Sequence, residues 1–311
     1  MVHGAQGSLE STVKQLAPGR AATMGPSEKL SYDITELRPQ LYWDLPADID
    51  PIRRLLERYS GVPPEEVEKH ILAVRQNLWN IKPYGCIGKF RFLQLDFAAD
   101  PRYQDALKRL TRRCTKEALL DVGCCVGQML RKMVVDGVDS SRLFGTDLEP
   151  RFLEMGYEMF RDKGRLRSMF VAGDVLDHDD DPKDPLRLLD GKMTIIHAAS
   201  FFHLFTWDDQ VAAARRLVRF LKPGDKNAFI FGRQVGCEDP GYQQGPKGYT
   251  RYLHNAASWQ KMWNEVGQQT GTRWRTEVDV IPESGDAVTK SADVNFEFEG
   301  LNRIRFGVYR A

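Results

Sequence analysis

Apolar positions along the chain alternate between two spacings. Short apolar runs, typical of buried strands, occur at 118–122, 142–146, 168–172, 193–197 and 228–232. Between them, stretches such as Phe152–Arg161 and Gln210–Leu221 repeat apolar residues at helical spacing. This β-α-β-α alternation predicts an α/β domain in which helices cover both faces of a parallel sheet.

The pattern changes after the helix predicted at Ser258–Thr270. Two strand-like segments follow, at 272–280 and Asn302–Tyr309, with no helix between them. Consecutive strands joined without a helix indicate an antiparallel hairpin at the edge of the sheet. With the five earlier runs, the prediction is a seven-stranded, mostly parallel sheet that ends in an antiparallel C-terminal hairpin.

The N-terminal third has a different composition. Residues 1–30 are rich in Gly, Ser, Ala and Pro and predict a mobile tail. Residues 31–102 contain helical patterns and several aromatic residues, and they predict a helical N-terminal lid. We therefore expect the main domain to occupy residues 103–311.

Composition narrows the choice of partners and compartment. Of 311 residues, 42% are hydrophobic and 28% are charged, as in an ordinary globular protein. The net charge of +1 gives no field that would attract nucleic acid or an anionic membrane, so neither partner is expected. Five cysteines, an odd number, favour a reducing compartment, and the N-terminus lacks the pattern of a secretory signal. We expect a cytoplasmic location.

The segment Ala118–Gln128 carries the most specific signal. It reads as a buried strand, an acid, a tight Gly/Cys turn and the start of an amphipathic helix. Such a turn exposes backbone N–H groups that bind nucleotide-like ligands. Where three glycines are usual, this turn has Gly123, Cys125 and Gly127.

Three carboxylates follow three successive predicted strands: Asp121, Asp147 and Asp174. The carboxyl ends of parallel strands form the ligand crevice of an open sheet. Asp147 lies 24 residues after Gly123, near the offset at which an acid accepts the hydroxyls of a ribose. Asp174 is placed to accept from an exocyclic amine such as that of adenine. The third acid and the terminal hairpin favour S-adenosylmethionine over a dinucleotide.

These features resemble the class I S-adenosylmethionine-dependent methyltransferases, and more narrowly the fungal methyltransferases of meroterpenoid pathways. The similar segments are Leu119–Gln128, Gly145–Leu148, Gly173–Asp177, Ala199–Trp207, Leu221–Gly224 and Gly232–Gly236. The resemblance implies a Rossmann-like fold, S-adenosyl-L-methionine as methyl donor and S-adenosyl-L-homocysteine as product. The implied cofactor-binding residues are Asp121, Gly123, Cys124, Cys125 and Gly127 for the methionine end, Asp147 and Leu148 for the ribose side, Asp174 and Val175 for adenine, and His197 and Ala198 beside them.

The segment after the fourth predicted strand borders the reactive methyl group in such folds. Phe201, Phe202 and Phe205 are candidates for an apolar acceptor wall, although aromatic residues at this spacing also suit a core. His203 is the candidate general base, with a structural histidine as the alternative. Tyr84, in the Lys82–Gly85 turn, is a further candidate for acceptor binding.

Two arginines, Arg233 and Arg251, are candidates to pair with an acceptor carboxylate, and exposure to solvent is the alternative for both. Arg233 is taken as the substrate-binding one of the two. The histidines at positions 3, 70, 178, 197, 203 and 254 show no ligand spacing, so no metal is expected.

The resulting prediction is a methyltransferase acting on an oxygen, preferably a carboxylate, of a hydrophobic secondary-metabolite intermediate such as a meroterpenoid. The alternatives are a phenolic O-, N- or C-methyltransferase, a related fold that catalyses cyclisation or isomerisation, and a non-catalytic cofactor-binding regulator. The N-terminal helices either cap the protomer's own pocket or form a homodimer.

Overall fold

The computed structural model describes residues 41–176, 181–244, 249–281 and 300–311. The predicted tail, residues 1–30, and the first ten residues of the predicted lid lie outside the described residues. The rest of the predicted lid and all the predicted site residues lie within them.

A seven-stranded sheet forms the centre of the protein, in the order β3-β2-β1-β4-β5-β9-β8. Its strands are β1 Leu119–Val122, β2 Leu143–Asp147, β3 Met169–Ala172, β4 Ile195–His197, β5 Phe229–Cys237, β8 Trp274–Ile281 and β9 Leu301–Arg310. The first five pair in parallel, whereas β9 pairs antiparallel with both β5 and β8. This confirms the mostly parallel sheet and its antiparallel C-terminal strands.

Helices precede the sheet and cover its two faces. They are α1 Asp50–Arg58, α2 Val67–Ile81, α3 Gly85–Gly88, α4 Pro101–Leu110, α5 Gln128–Val135, α6 Pro150–Phe160, α7 Trp207–Phe220 and α8 Ala256–Thr270. Several begin where the sequence supplies a cap. Asp100 accepts from the backbone of Arg102 at the start of α4, and Asn255 and Ser258 form a reciprocal capping box at α8.

The core has two clusters of buried side chains, one containing the N-terminal helices and the other α7 and α8. Leu56, Ile71 and Leu78 from the N-terminal helices are fully buried in the same cluster as Leu119 of β1. Burying a side chain of this size stabilises the fold by about 1.5–3 kcal/mol. The N-terminal helices are therefore part of the main core, and α4 crosses the predicted boundary at residue 102.

A small second sheet departs from the sequence prediction. Strands β6, Gly241–Gln244, and β7, Thr250–Leu253, pair antiparallel between β5 and α8. The sequence of β6 is half glutamine with one glycine and one tyrosine, so it lacks the apolar alternation that indicates a strand. Strand β6 can therefore be identified only in the tertiary structure, where it pairs with β7 beside the main sheet.

Candidate cofactor and acceptor site

The Gly/Cys turn connects β1 to α5 at the carboxyl edge of the sheet. Gly123, Cys125 and Gly127 have positive φ angles of 67°, 50° and 64°. Glycine adopts this conformation freely, whereas a residue with a Cβ such as Cys125 pays about 1–2 kcal/mol. The Cys125 N–H donates to Asp147 Oδ2 at 2.8 Å, which helps to hold this backbone conformation.

The two thiols of the turn belong to small side chains, which we interpret as lining the predicted cofactor site. Burial raises the pKa of Cys124 and of Cys125 well above the ordinary value, so both remain protonated at neutral pH. Neither has the lowered pKa of a reactive cysteine.

A fully buried arginine, Arg131 on α5, supports the turn from below. Its guanidinium makes two hydrogen bonds to Asp162, at 2.9 and 3.0 Å, and donates to the carbonyl oxygen of Val126 at 3.0 Å. It also lies 5.0 Å from the ring centroid of Phe170. Sequence reasoning missed Arg131, because its partner Asp162 is 31 positions away and no local pattern connects them.

Asp147, at the end of β2, is the predicted ribose ligand. Its two carboxylate oxygens accept from the backbone N–H groups of Cys125 and Glu149, at 2.8 and 3.1 Å. Burial raises the pKa of Asp147 to about 6, although these two hydrogen bonds oppose the rise and the Asp121 carboxylate adds to it. Each oxygen retains a lone pair for a hydroxyl donor.

Asp121 and His197 form a buried pair across neighbouring strands. The two residues are in register on β1 and β4, and His197 Nδ1 lies 2.7 Å from Asp121 Oδ1. The imidazole packs between Phe97, at 5.9 Å, and Phe231, at 4.9 Å between ring centroids. The side chain of His197 thus orients the Asp121 carboxylate. The backbone of His197 remains for the predicted contact with the cofactor.

The residues predicted for the adenine end also converge. Gly173 N–H donates to the Asp147 carbonyl oxygen at 3.1 Å, which brings Asp174 and Val175 beside the end of β2. Leu148 is 39% exposed, unusually open for a large apolar side chain next to a buried strand. It offers apolar surface for a flat ring.

The three phenylalanines of the predicted acceptor wall lie in two different environments. A Cβ atom on Gly123 would lie only 3.4 Å from the Phe201 ring, so Phe201 borders the cofactor turn. Phe205 packs edge-on against Phe201 at 5.2 Å. Phe202 points elsewhere, because it is fully buried and packs against Trp259 at 5.2 Å and other core rings.

The remaining acceptor candidates occupy separate elements. His203 lies in the 3₁₀ turn Phe202–Leu204 and is only 7% exposed. Tyr84 packs edge-on against Phe152 of α6, the helix that follows Asp147, with 6.1 Å between ring centroids. The structure thus places Tyr84 beside the helix that follows Asp147, a predicted cofactor residue, and His203 beside the predicted aromatic wall.

Arg233, on β5, already has a partner in the N-terminal segment. It forms an ion pair with Asp96, and its Nη2 donates to Gln94 Oε1 at 2.8 Å. Burial lowers its pKa from the ordinary value, and Asp96 opposes that change. The pair connects the N-terminal segment to the carboxyl end of β5.

These residues fit S-adenosylmethionine. Helix α5 begins without a side-chain cap, so its first N–H groups are available to a ligand. Gln128 Oε1 is buried beside the turn and accepts no hydrogen bond from any described residue. Together with Asp147, the turn therefore supplies free donors and acceptors at the carboxyl edge.

A depression of about 370 Å³, lined by Glu117 and Asn227 among others, lies at the opposite edge of the sheet.

The sequence matches known methyltransferases in both parts of the chain. Residues 41–93 match the family described as meroterpenoid methyltransferase N-terminal domain, and residues 119–224 match a methyltransferase domain. The O-methyltransferase phiE of Fungal sp. (strain ATCC 74256) is 46% identical over 231 residues, 74% of this chain and 75% of that protein. The chain belongs to this family of fungal methyltransferases.

Two further relatives agree. The O-methyltransferase atr3 of Stereocaulon alpinum is 38% identical over 86% of this chain and 75% of its own length. The Asnovolin E/Chermesin D methyltransferase nvfJ of Aspergillus novofumigatus (strain IBT 16806) is 34% identical over 76% of this chain and 84% of its own length. The protein is an S-adenosylmethionine-dependent methyltransferase, as its sequence predicted.

Two negative findings apply to the described residues only. None of the helices described here has the length and apolar content that crossing a bilayer requires. Within the same ranges, no group of three or more His, Cys, Asp or Glu side chains is arranged to hold a metal ion.

Proposed function

We propose that the enzyme transfers the methyl group to a carboxylate oxygen of a hydrophobic secondary-metabolite intermediate. The contact between Phe201 and the turn at Gly123 carries this proposal, since it sets an apolar wall directly beside the methionine-end residues. A relative is named for asnovolin E and chermesin D, which supports a natural-product acceptor for this chain also.

The bound cofactor supplies a methyl group on a positively charged sulfur. The turn at Gly123–Gly127 and Asp147 would hold the two ends of that donor, while Phe201 and Phe205 exclude water from the acceptor side. A carboxylate is ionised at neutral pH, so these residues need only align it and remove its water shell. The new O–CH₃ bond would replace the S–CH₃ bond of the donor, both charges would be lost, and no proton would have to move.

A phenolic acceptor is the main competing reaction. A phenol must lose its proton as it attacks, and His203, next to the aromatic wall, is the candidate general base for that proton. With a carboxylate acceptor, His203 has no proton to accept. The two reactions therefore differ in the chemistry of their products and in their need for His203.

The decisive experiment uses labelled S-adenosylmethionine with panels of aromatic acids and phenols of similar size. A labelled product that base hydrolyses to the free acid is an ester and supports the proposal. A base-stable ether, or labelled nitrogen or carbon, overturns it.

The donor side is tested separately by calorimetric titration with S-adenosylhomocysteine. Saturable binding at one site per chain is expected. An absence of binding would contradict the assignment of the Gly/Cys turn and of Asp147.

Three further expectations stay predictions. The division at residue 102, the cytoplasmic location and assembly through the N-terminal helices rest on the sequence. Trp43, which is 70% exposed beside those helices, offers apolar surface for assembly. Sedimentation of the purified protein would distinguish a monomer from a dimer.

A further inference from the structure

A second arginine near the acceptor wall, Arg251, is buried with no partner among the described residues. Arg251, on β7, is 3% exposed, and its Nε is buried with no hydrogen-bond acceptor. No hydrogen bond or ion pair links its guanidinium to any part of the chain that the structure describes. A buried charge without a counter-charge costs several kcal/mol, so proteins normally pair it.

The position of β7 decides where Arg251 points. A parallel backbone bridge joins Gly236 of β5 to His254, directly after β7. The side chains of two bridge partners point to the same face, and side chains alternate between faces along each strand. A residue three positions before a bridge partner therefore points to the opposite face. Arg251 and Arg233 occupy those positions, and both therefore share one face.

That face is the one covered by the N-terminal segment. Arg233 contacts Asp96 and Gln94 there. His254 lies on the other face, where it packs against Trp259 of α8 at 5.2 Å. Arg251 therefore lies on the same side of β5 as the N-terminal segment.

Two observations show which groups lie near Arg251. Burial raises the pKa of the Cys237 thiol, at the end of β5, to about 11, and the nearby Arg251 charge opposes that rise. The next residue, Tyr252, donates its backbone N–H to the Phe205 carbonyl oxygen at 2.9 Å. Arg251 thus adjoins the aromatic wall.

A hydrogen-bond acceptor lies beside it across the β6–β7 ladder. Gln243 is in register with Arg251, and side chains in register point to the same face. Gln243 Oε1 is buried and accepts no hydrogen bond from Arg251 or from any other described group. A cation and a free amide oxygen together can bind an anion and a neighbouring hydroxyl.

We propose that Arg251 binds the carboxylate of the methyl acceptor, and that Gln243 accepts from a hydroxyl next to that carboxylate. This inference rests on the proposed function and identifies the acceptor as a hydroxy acid. Arg251 is a binding and positioning residue. Methylation removes the negative charge of the acceptor, so the ester loses its ion pair with Arg251 and dissociates more readily.

The test compares the Arg251→Met variant with wild type and with Arg275→Met, the same change at an exposed site on β8. The probes are pentylsalicylic acid, which carries a hydroxyl beside its carboxylate, and its methyl ester. Binding is measured calorimetrically with S-adenosylhomocysteine present. The wild type should bind the acid more tightly than the ester, and Arg251→Met should raise the Kd of the acid about 30-fold or more. Arg275→Met should bind both probes as the wild type does.

Thermal unfolding of the ligand-free proteins provides a measurement that needs no acceptor. Removing a buried charge that has no counter-charge among the described residues should leave the melting temperature of Arg251→Met equal to or above that of the wild type. A lower melting temperature would show that Arg251 has a structural partner and would overturn the inference. Equal binding of acid and ester to the wild type, no binding of the acid, or an unchanged Kd in Arg251→Met would overturn it too.

The outcomes separate this inference from the proposed function. Loss of S-adenosylhomocysteine binding in the wild type contradicts the donor site. Intact binding of that ligand without any preference for the acid contradicts only the role of Arg251. A Gln243→Leu variant that weakens binding of pentylsalicylic acid but not of pentylbenzoic acid would support the hydroxyl contact, and equal effects on both would refute it.

Discussion

Arg131 and Arg251 are both buried arginines, one beneath the cofactor turn and the other beside the acceptor wall. Arg131 has a carboxylate, a carbonyl oxygen and aromatic rings around its guanidinium. Arg251 has no hydrogen-bonding or ionic partner among the described residues. The fold itself compensates the charge of Arg131 permanently. In our proposal, the substrate compensates the charge of Arg251 only during turnover.

The same contrast holds for the two halves of the site. The cofactor half holds two of its carboxylates with protein groups before any ligand arrives, as in the Asp121–His197 pair and the Asp147–Cys125 bond. The acceptor half combines rings with polar atoms that have no partner in the described part of the chain, such as Gln243 Oε1. A preorganised half suits a constant donor, and an incomplete half suits an acceptor that supplies the missing charge.

The largest expected effect is on Arg131. Replacing Asp162 by alanine leaves that arginine buried without a counter-charge and should lower the free energy of unfolding by about 3–5 kcal/mol. Denaturant unfolding measures the change. Glu154→Ala is the matched control, since Glu154 pairs with Lys163 in solvent, and it should leave stability unchanged. Equal stability of both variants would contradict the contrast between the arginines.

The second prediction tests the preorganised carboxylate. Asp147→Asn keeps the shape of the side chain but removes the charge that strengthens hydrogen bonds from ribose hydroxyls. The Kd of S-adenosylhomocysteine should rise about 100-fold, because a hydrogen bond to a charged group contributes about 1.5–3 kcal/mol. Asp139→Asn, which changes a carboxylate that accepts from Ser141 outside the site, should leave the Kd unchanged. A similar Kd in both variants would exclude Asp147 from ribose binding.

The third prediction follows from the pKa of about 6 at Asp147. Only the ionised carboxylate accepts from both hydroxyls, so affinity for S-adenosylhomocysteine should fall as the pH drops below about 6, by at most about tenfold per pH unit. This pKa lies above the ordinary value of 3.8, so in the ligand-free protein Asp147 stabilises the fold below that value, and the contribution is lost as the pH rises through 6. A calorimetric pH series measures the affinity, and Asp147→Asn should abolish this component. A flat wild-type profile would contradict the prediction.

The smallest effect is expected at His203. If the acceptor is a carboxylate, His203→Gln should change kcat by less than about tenfold, because no general base is needed. With a phenol, the loss should reach about 100-fold or more. Single-turnover rates with labelled cofactor distinguish the two, and a large loss would favour the phenolic reaction over our proposal.

The sequence was most informative where function depends on neighbours along the chain. The Gly/Cys turn and the acids at the ends of β1, β2 and β3 follow from local patterns, and parallel pairing brings them to one edge. The prediction for Phe202 is less well supported, because its contacts with Trp259 and Phe306 come from residues more than 50 positions away. Helical spacing cannot distinguish a ring in the core from one on a pocket wall.

The sequence alone determined the seven-stranded sheet and the methyl donor, and it predicted the order of the cofactor residues, because these depend on periodicity and on short motifs. Only the tertiary structure decided which charges have partners. Asp96 reaches Arg233 across 137 positions and Asp162 reaches Arg131 across 31, whereas Arg251 meets no carboxylate in the described structure. Side chains far apart along the chain meet only through packing, and burial then sets the energetic consequence of each pair that forms or is missing.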